Sequence, residues 1–200
     1  MANVLWDIMR NMEKAKEHHT EALQILETEP KSIELANLYN DMAYMWASLG
    51  IKDAAKALPW TEKALDLAKE LNALTVVASA YATLGYILTQ TEDFRKGIEC
   101  LERALKIALD NNYVETALRA YSDLGWYHIP YEECERRLEY HKEGYELAKK
   151  VGAIHYQSSL GSNLAFQYFI LGDFSKYKAL REEPIALYRK AGEMSSVYAG

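Results

Sequence analysis

The chain has 200 residues, half of them hydrophobic, so it can bury a substantial core; 4 Pro and 10 Gly leave little room for long loops. Its formal charge is −6, and Lys and Arg are scattered among carboxylates rather than gathered in a stripe. That argues against a nucleic-acid surface, which needs clustered cations to meet phosphate.

The N-terminal stretch "MANVLWDIMRNMEKAK" lacks a basic segment followed by a long apolar one, so it does not read as a secretory signal. Residues 1–30 supply mainly one helix, ending in "HHTEALQILETEP". Four longer units follow, over 33–72, 75–112, 115–152 and 155–192, and "EMSSVYAG" begins another at 193–200. The first half of each carries "LYNDMAYMWASLG", "AYATLGYILTQTE", "AYSDLGWYHIPYE" or "LGSNLAFQYFILG". These rows align on Met42-Ala43, Leu84-Gly85, Leu124-Gly125 and Leu164-Ala165. The second halves register at Leu23, Leu65, Leu105, Tyr145 and Ile185, at spacings of 42, 40, 40 and 40 residues. Recurrence at that length without insertions is the mark of a repeat array.

Apolar residues fall at helical spacing within each row, as at Leu101, Leu105 and Ala108, and short polar turns such as "QTED" separate the halves. Each unit is therefore expected to be a helix hairpin of about 40 residues, the size of two-helix solenoid units. Glycine costs a helix interior about 1 kcal/mol relative to alanine, so Gly85 and Gly125 imply close approach. The first helix is expected to press on the second helix of its own hairpin, against the small position held by Ala64, Ala104 and Gly144. The most apolar stretch, "LTVVASAYATLGYIL", is shorter than a membrane span, and a cytoplasmic location is expected. Cys100 and Cys134 have no ligand-like spacing and read as small, buried or half-buried residues rather than a disulfide.

These rows resemble the tetratricopeptide repeat. Tyr81, Leu84 and Gly85, and again Tyr121, Leu124 and Gly125, match its aromatic–x–x–Leu–Gly core; Gly97, Leu101 and Ala104 match its later small, bulky and small positions. The resemblance covers essentially the whole chain and implies an all-α fold, a right-handed α-solenoid. Arg137 and Tyr177 stand where the family has alanine. Pro59 and Pro184 fall within second helices, where a kink is expected, and Pro130 is expected to shape a turn. Both ends are cut within a unit, which suggests a piece of a longer array whose uncapped ends could self-associate.

Motifs for chemistry are absent: no phosphate-cradling loop ending in Lys-Ser or Lys-Thr, no Gly-x-Ser-x-Gly and no His-Glu-x-x-His. His18 and His19 point about 100° apart on a helix. His128, His141 and His155 lie in separate segments and are expected at the surface. Glu132-Glu133 and Glu182-Glu183 read as solvated pairs. No catalytic residue, metal or cofactor is expected.

One constellation stands out. Tyr44, Tyr86, Trp126 and Phe166 follow the small position, one per unit. The resemblance implies that this position faces the concave groove where partners dock, with Asn37 and Asn40, Ser79 and Ala82, Arg119 and Ser122, and Ser159 and Ser162 beside it. Two readings stay open: a recognition surface of rigid aromatics among small polar side chains, or aromatic packing between first helices. Trp46, Leu88 and Tyr168 are expected in the core.

The phrases "HHTEALQILETEPKSIELANLY", "EKALDLAKELN" and "YVETALRAYSDLG" are similar to the C-terminal repeat regions of large bacterial signalling ATPases. These include class III adenylate or guanylate cyclases joined to AAA-type ATPases, and LuxR-type regulators resembling the maltose regulator. The resemblance implies a non-catalytic module that binds a protein segment, or a neighbouring domain, and restrains or releases an ATPase. The alternatives are a small-ligand sensor and an oligomerisation arm.

Overall fold

A computed structural model describes residues 2–47, 53–91, 93–126 and 134–191, with side chains described for residues 13–47, 53–91, 93–126 and 135–182. Nine α-helices and no strand occur among the described residues: α1 (Ala2–Leu26), α2 (Ile33–Ala47), α3 (Ala54–Glu70), α4 (Leu74–Leu88), α5 (Phe94–Asp110), α6 (Val114–Trp126), α7 (Cys134–Val151), α8 (Ile154–Ile170) and α9 (Phe174–Ala191). None of them is long and apolar enough to cross a membrane.

The chain divides into two compact units, residues 1–111 and 112–200. In the first, α2 packs on α3, α4 packs on α5, and the first helices α2 and α4 lie against each other. Its core joins Leu35, Tyr39, Leu65, Val76, Val77 and Tyr81. In the second unit, α6 pairs with α7, α8 with α9, and α6 with α8; Leu118, Leu124 and Leu160 are fully buried there. Burying a leucine side chain contributes roughly 1.5–3 kcal/mol, and no hairpin covers its own apolar flank without a neighbour.

The turns that hand one hairpin to the next share a backbone device. Asn72, Asn112 and Gly152 all have positive φ, at 54°, 58° and 71°, and stand 40 residues apart. Each follows the end of a second helix, where a left-handed residue lets the next N–H turn back onto an orphan carbonyl. Thus Ala73 N–H donates to Ala68 O at 2.8 Å and Ala153 N–H to Ala148 O at 2.9 Å. Asparagine and glycine are the residues that tolerate this conformation.

The glycines do mediate close approach, but the opposing position differs from the one expected. A Cβ on Gly85 would lie 2.7 Å from Gly97 O and 2.6 Å from Leu101 Cγ, so α4 and α5 cross at Gly97 and Leu101 rather than at Ala104. A Cβ on Gly144 would instead meet Tyr121 Cβ at 2.7 Å, and one on Gly125 would run into the imidazole of His141. His141 is therefore not a surface residue. It is 1 % exposed and fills, 40 residues on, the place that Leu101 fills in the first unit.

Pro59 does not end its helix: α3 continues from Ala54 to Glu70 across it, capped at its start by Asp53, whose Oδ1 accepts from Lys56 N–H at 3.1 Å. The proline is exposed. Helix α9 likewise extends past position 184. Pro130, His128, Glu132-Glu133 and the start of a further unit at 193–200 lie outside the described residues, as do the side chains of Cys134, Glu183 and Pro184.

Candidate functional site

The register position that follows each small residue of the first helices carries an aromatic side chain that is exposed in three of four cases. Trp126 is 69 % exposed, Phe166 58 % and Tyr44 41 %; Tyr86 is half-buried. In the first unit the rings of Tyr44 on α2 and Tyr86 on α4 meet at 5.7 Å with a 51° tilt. Aromatic pairs at this separation attract beyond their simple burial. In the second unit α6 presents Trp126 and α8 presents Phe166. Exposure of this size speaks for surface rather than core at Trp126 and Phe166. Of the three positions expected in the core, Tyr168 is buried, while Trp46 and Leu88 are half-buried.

The neighbouring positions divide. Asn37 is exposed, and Ser79, Arg119, Ser122, Ser159 and Ser162 are half-buried. Two expectations need correction. Asn40 (6 % exposed) and Ala82 are buried rather than open to a groove. Asn40 Oδ1 accepts no hydrogen bond among the described residues.

Helix α6 also carries a half-buried charged pair. Arg119 Nε stands 3.8 Å from Asp123 Oδ2, one turn along the same helix. Burial raises the Asp123 carboxyl to a pKa of about 6, and the Arg119 guanidinium offsets only part of that. Tyr121, one turn before Gly125, donates from Oη to Glu143 Oε2 at 3.0 Å across to α7; burial, then this carboxylate, push its hydroxyl up to about 12.

A second group of residues escaped the sequence reading. At the turn from α8 to α9, Phe169, Ile170, Leu171 and Phe174 are exposed, and the Phe169 ring contacts those of Phe174 (5.8 Å) and Tyr177 (5.4 Å). The signal was available: the same turn between α4 and α5 reads Thr89-Gln90-Thr91, against Phe169-Ile170-Leu171 here. Three successive polar positions have become apolar, immediately beyond Phe166.

His155 is exposed on α8. Cys100 is half-buried, and burial raises its thiol pKa above the ordinary value. No group of three or more His, Cys, Asp or Glu side chains is arranged to hold a metal among the described residues.

No protein-family model matches the sequence, and no curated protein matches it. Solved structures do match. Aspartyl phosphate phosphatase F from Bacillus subtilis superposes with a TM-score of 0.79 at 14 % identity, over 95 % of this chain and 51 % of that one. BtubC from P. vanneervenii superposes with a TM-score of 0.72 at 20 % identity, over 91 % of this chain and 75 % of that one. The chain thus spans about half the length of the phosphatase. At these identities the likeness concerns the fold, and both neighbours are helical-repeat proteins. The chain is an all-α helical-repeat protein built from tetratricopeptide-like hairpins.

Proposed function

We propose that this chain is a non-catalytic interaction module that holds a protein segment on the aromatic-bearing flank of its first helices. One observation carries the reading: in the second unit Trp126 and Phe166, at one register position on α6 and α8, expose large rings that their own hairpins do not cover. Rigid aromatics with hydrogen-bonding neighbours such as Asn37, Arg119 and Ser159 are the side chains that anchor partners at low entropic cost. In the proposal the module is the regulatory repeat region of a larger bacterial signalling ATPase, where the segment comes from a neighbouring domain or a second protein. The name of the Bacillus neighbour refers to an aspartyl phosphate. The likeness to it, at 14 % identity and over 51 % of that protein, is one of fold.

The test selects peptides from a random display library on the full chain and measures the best of them by calorimetry. Trp126→Ala and Phe166→Ala should each weaken binding at least tenfold. Melting temperature and helicity should change little, because the Trp126 side chain is mostly solvated. Peptides that bind both variants as well as the wild type would overturn the assignment of this surface. A loss of order 3 kcal/mol in stability, as for a buried aromatic, would instead favour a packing role for the ring.

A further inference from the structure

We propose that the second unit contains a small-molecule site, separate from the aromatic surface, in the cavity between α7, α8 and α9, and that it takes an amphipathic organic anion: one acidic group on a compact aromatic or branched aliphatic body.

The cavity has a volume of about 370 Å³, within the range of sites that enclose small ligands. Its floor is apolar and buried, formed by Tyr145, Leu164 and Tyr168, and Leu180 of α9 closes one side. The first unit shows that this register need not be open. There the equivalent side chains, Leu65, Leu84 and Cys100, belong to a single packed cluster.

The difference follows from the helix crossing. Helix α5 can lie on α4 because Gly97 and Gly85 face each other; a Cβ on Gly97 would stand 2.6 Å from Thr89 N and 2.9 Å from Gly85 O. Forty residues apart in each step, the chain places Arg137 and then Tyr177 at that position. Arg137 reaches over and donates from Nη2 to Gln167 Oε1 at 2.7 Å. The Tyr177 ring turns aside onto Phe169. Ala165 and Tyr177 stand where Gly85 and Gly97 do, so the glycine-on-glycine contact cannot recur between α8 and α9, and room remains beneath Leu180.

Charge decides what fits that room. The ammonium groups of Lys142 and Lys176 stand 6.0 and 4.9 Å from the centre of the Tyr168 ring, and that of Lys149 stands 5.5 Å from the Tyr145 ring. Lys176 also pairs with Asp173 at 2.8 Å, and Glu146 is the one carboxylate in the lining among the described residues. Three cations therefore gather around the two rings that floor the cavity. A ligand body can stack on Tyr168 while its acidic group replaces the rings as the partner of Lys142 and Lys176, a stronger contact for an ammonium than a π-face. Lys69 and Lys96 stand at the registers of Lys149 and Lys176 in the first unit, but at those of Lys142 and Tyr168 it has Glu62 and Leu88, so the pairing of Lys142 with a ring belongs to the second unit.

Two fluorescent probes of one shape test the proposal on the full chain: 8-anilinonaphthalene-1-sulfonate, an anion, and the neutral N-phenyl-1-naphthylamine. Both should bind saturably at one site. Ala179→Trp, which fills the cavity from its exposed wall, should weaken both at least tenfold. The double variant Lys142→Gln/Lys176→Gln should weaken the sulfonate at least fivefold and the neutral probe less than twofold. Ala179→Glu provides a second approach should the tryptophan variant fold poorly, and should repel the sulfonate selectively. Phe169→Ser, on the exposed turn, should change neither. The proposal is overturned if Ala179→Trp binds both probes like the wild type. It also fails if the lysine variant affects both probes equally, or if Phe169→Ser abolishes binding and so places the probes on the apolar turn.

Discussion

Replacing His141 by leucine should stabilise the protein, and by more at pH 5 than at pH 8. The imidazole is buried against Gly125, and neither ring nitrogen has a hydrogen-bond partner among the described residues. A buried polar atom left unpaired costs about 1–3 kcal/mol. Leucine is what the first unit carries at this register, where Leu101 lies fully buried against Gly85. His141→Leu should therefore gain on the order of 1–3 kcal/mol at neutral pH. For a chain of this size, each kcal/mol raises the melting temperature by about 2–4 °C.

The pH dependence follows from the direction in which the imidazole is shifted. Burial, reinforced by the Arg137 guanidinium one turn earlier, lowers its pKa from 6.5 to about 4. Between those values the unfolded chain binds a proton that the folded chain does not. Acidification through this window therefore drains stability from the wild type, and below pH 4 the full penalty of roughly 3 kcal/mol is reached. At pH 5 the variant's advantage should be about 2 kcal/mol larger than at pH 8. Asp123 acts in the opposite direction. Its folded pKa of about 6 lies above the ordinary value of 3.8, so the folded chain takes up the proton first and gains stability as pH falls from 6 toward 3.8. That contribution is common to both proteins and cancels in the difference between them. Urea denaturation of both at the two pH values checks the prediction. An advantage independent of pH would mean that His141 finds a proton partner in the folded protein.

The hairpins were legible because three separate signals coincide at the same positions: the apolar spacing, the small residue of each first helix, and the recurrence every 40 residues. The turn residues Asn72, Asn112 and Gly152 obey that recurrence too. His141 was misplaced because residue type outweighed register; the alignment that put it opposite Leu101 already marked it as a core position. Asn40 and Ala82 were misplaced for the converse reason. Their carry-over from a family groove went by register alone, and both side chains lie in the interior. The exposed rings of Trp126 and Phe166 could be anticipated only as one of two readings, because an aromatic stripe at repeat spacing serves surface and core equally well. The cavity under α9 was out of reach of pattern reading. It depends on how side chains of three helices seat against one another, which spacing along the chain does not fix.

The two first-helix glycines should respond differently to the same added methyl group. Alanine has the higher helix propensity by about 1 kcal/mol, so without crowding either substitution would stabilise. At Gly85 the new Cβ would stand 2.7 Å from a backbone oxygen, Gly97 O, and 2.9 Å from a backbone nitrogen, Leu101 N. Only a shift of α4 against α5 can relieve that, and overpacking of this kind costs typically 1–3 kcal/mol, occasionally more. At Gly125 the three nearest atoms all belong to the His141 side chain. Gly125→Ala should therefore be destabilising in the wild type yet neutral or favourable alongside His141→Ala, a coupling of order 1–3 kcal/mol. Gly85→Ala should remain destabilising alongside Leu101→Ala, because the backbone of α5 still blocks it. Equilibrium unfolding of the two double-mutant cycles measures both couplings. Equal couplings would show that the α4–α5 crossing yields as easily as a side chain, so that a bulkier residue at the Gly97 register could be accommodated by the same shift.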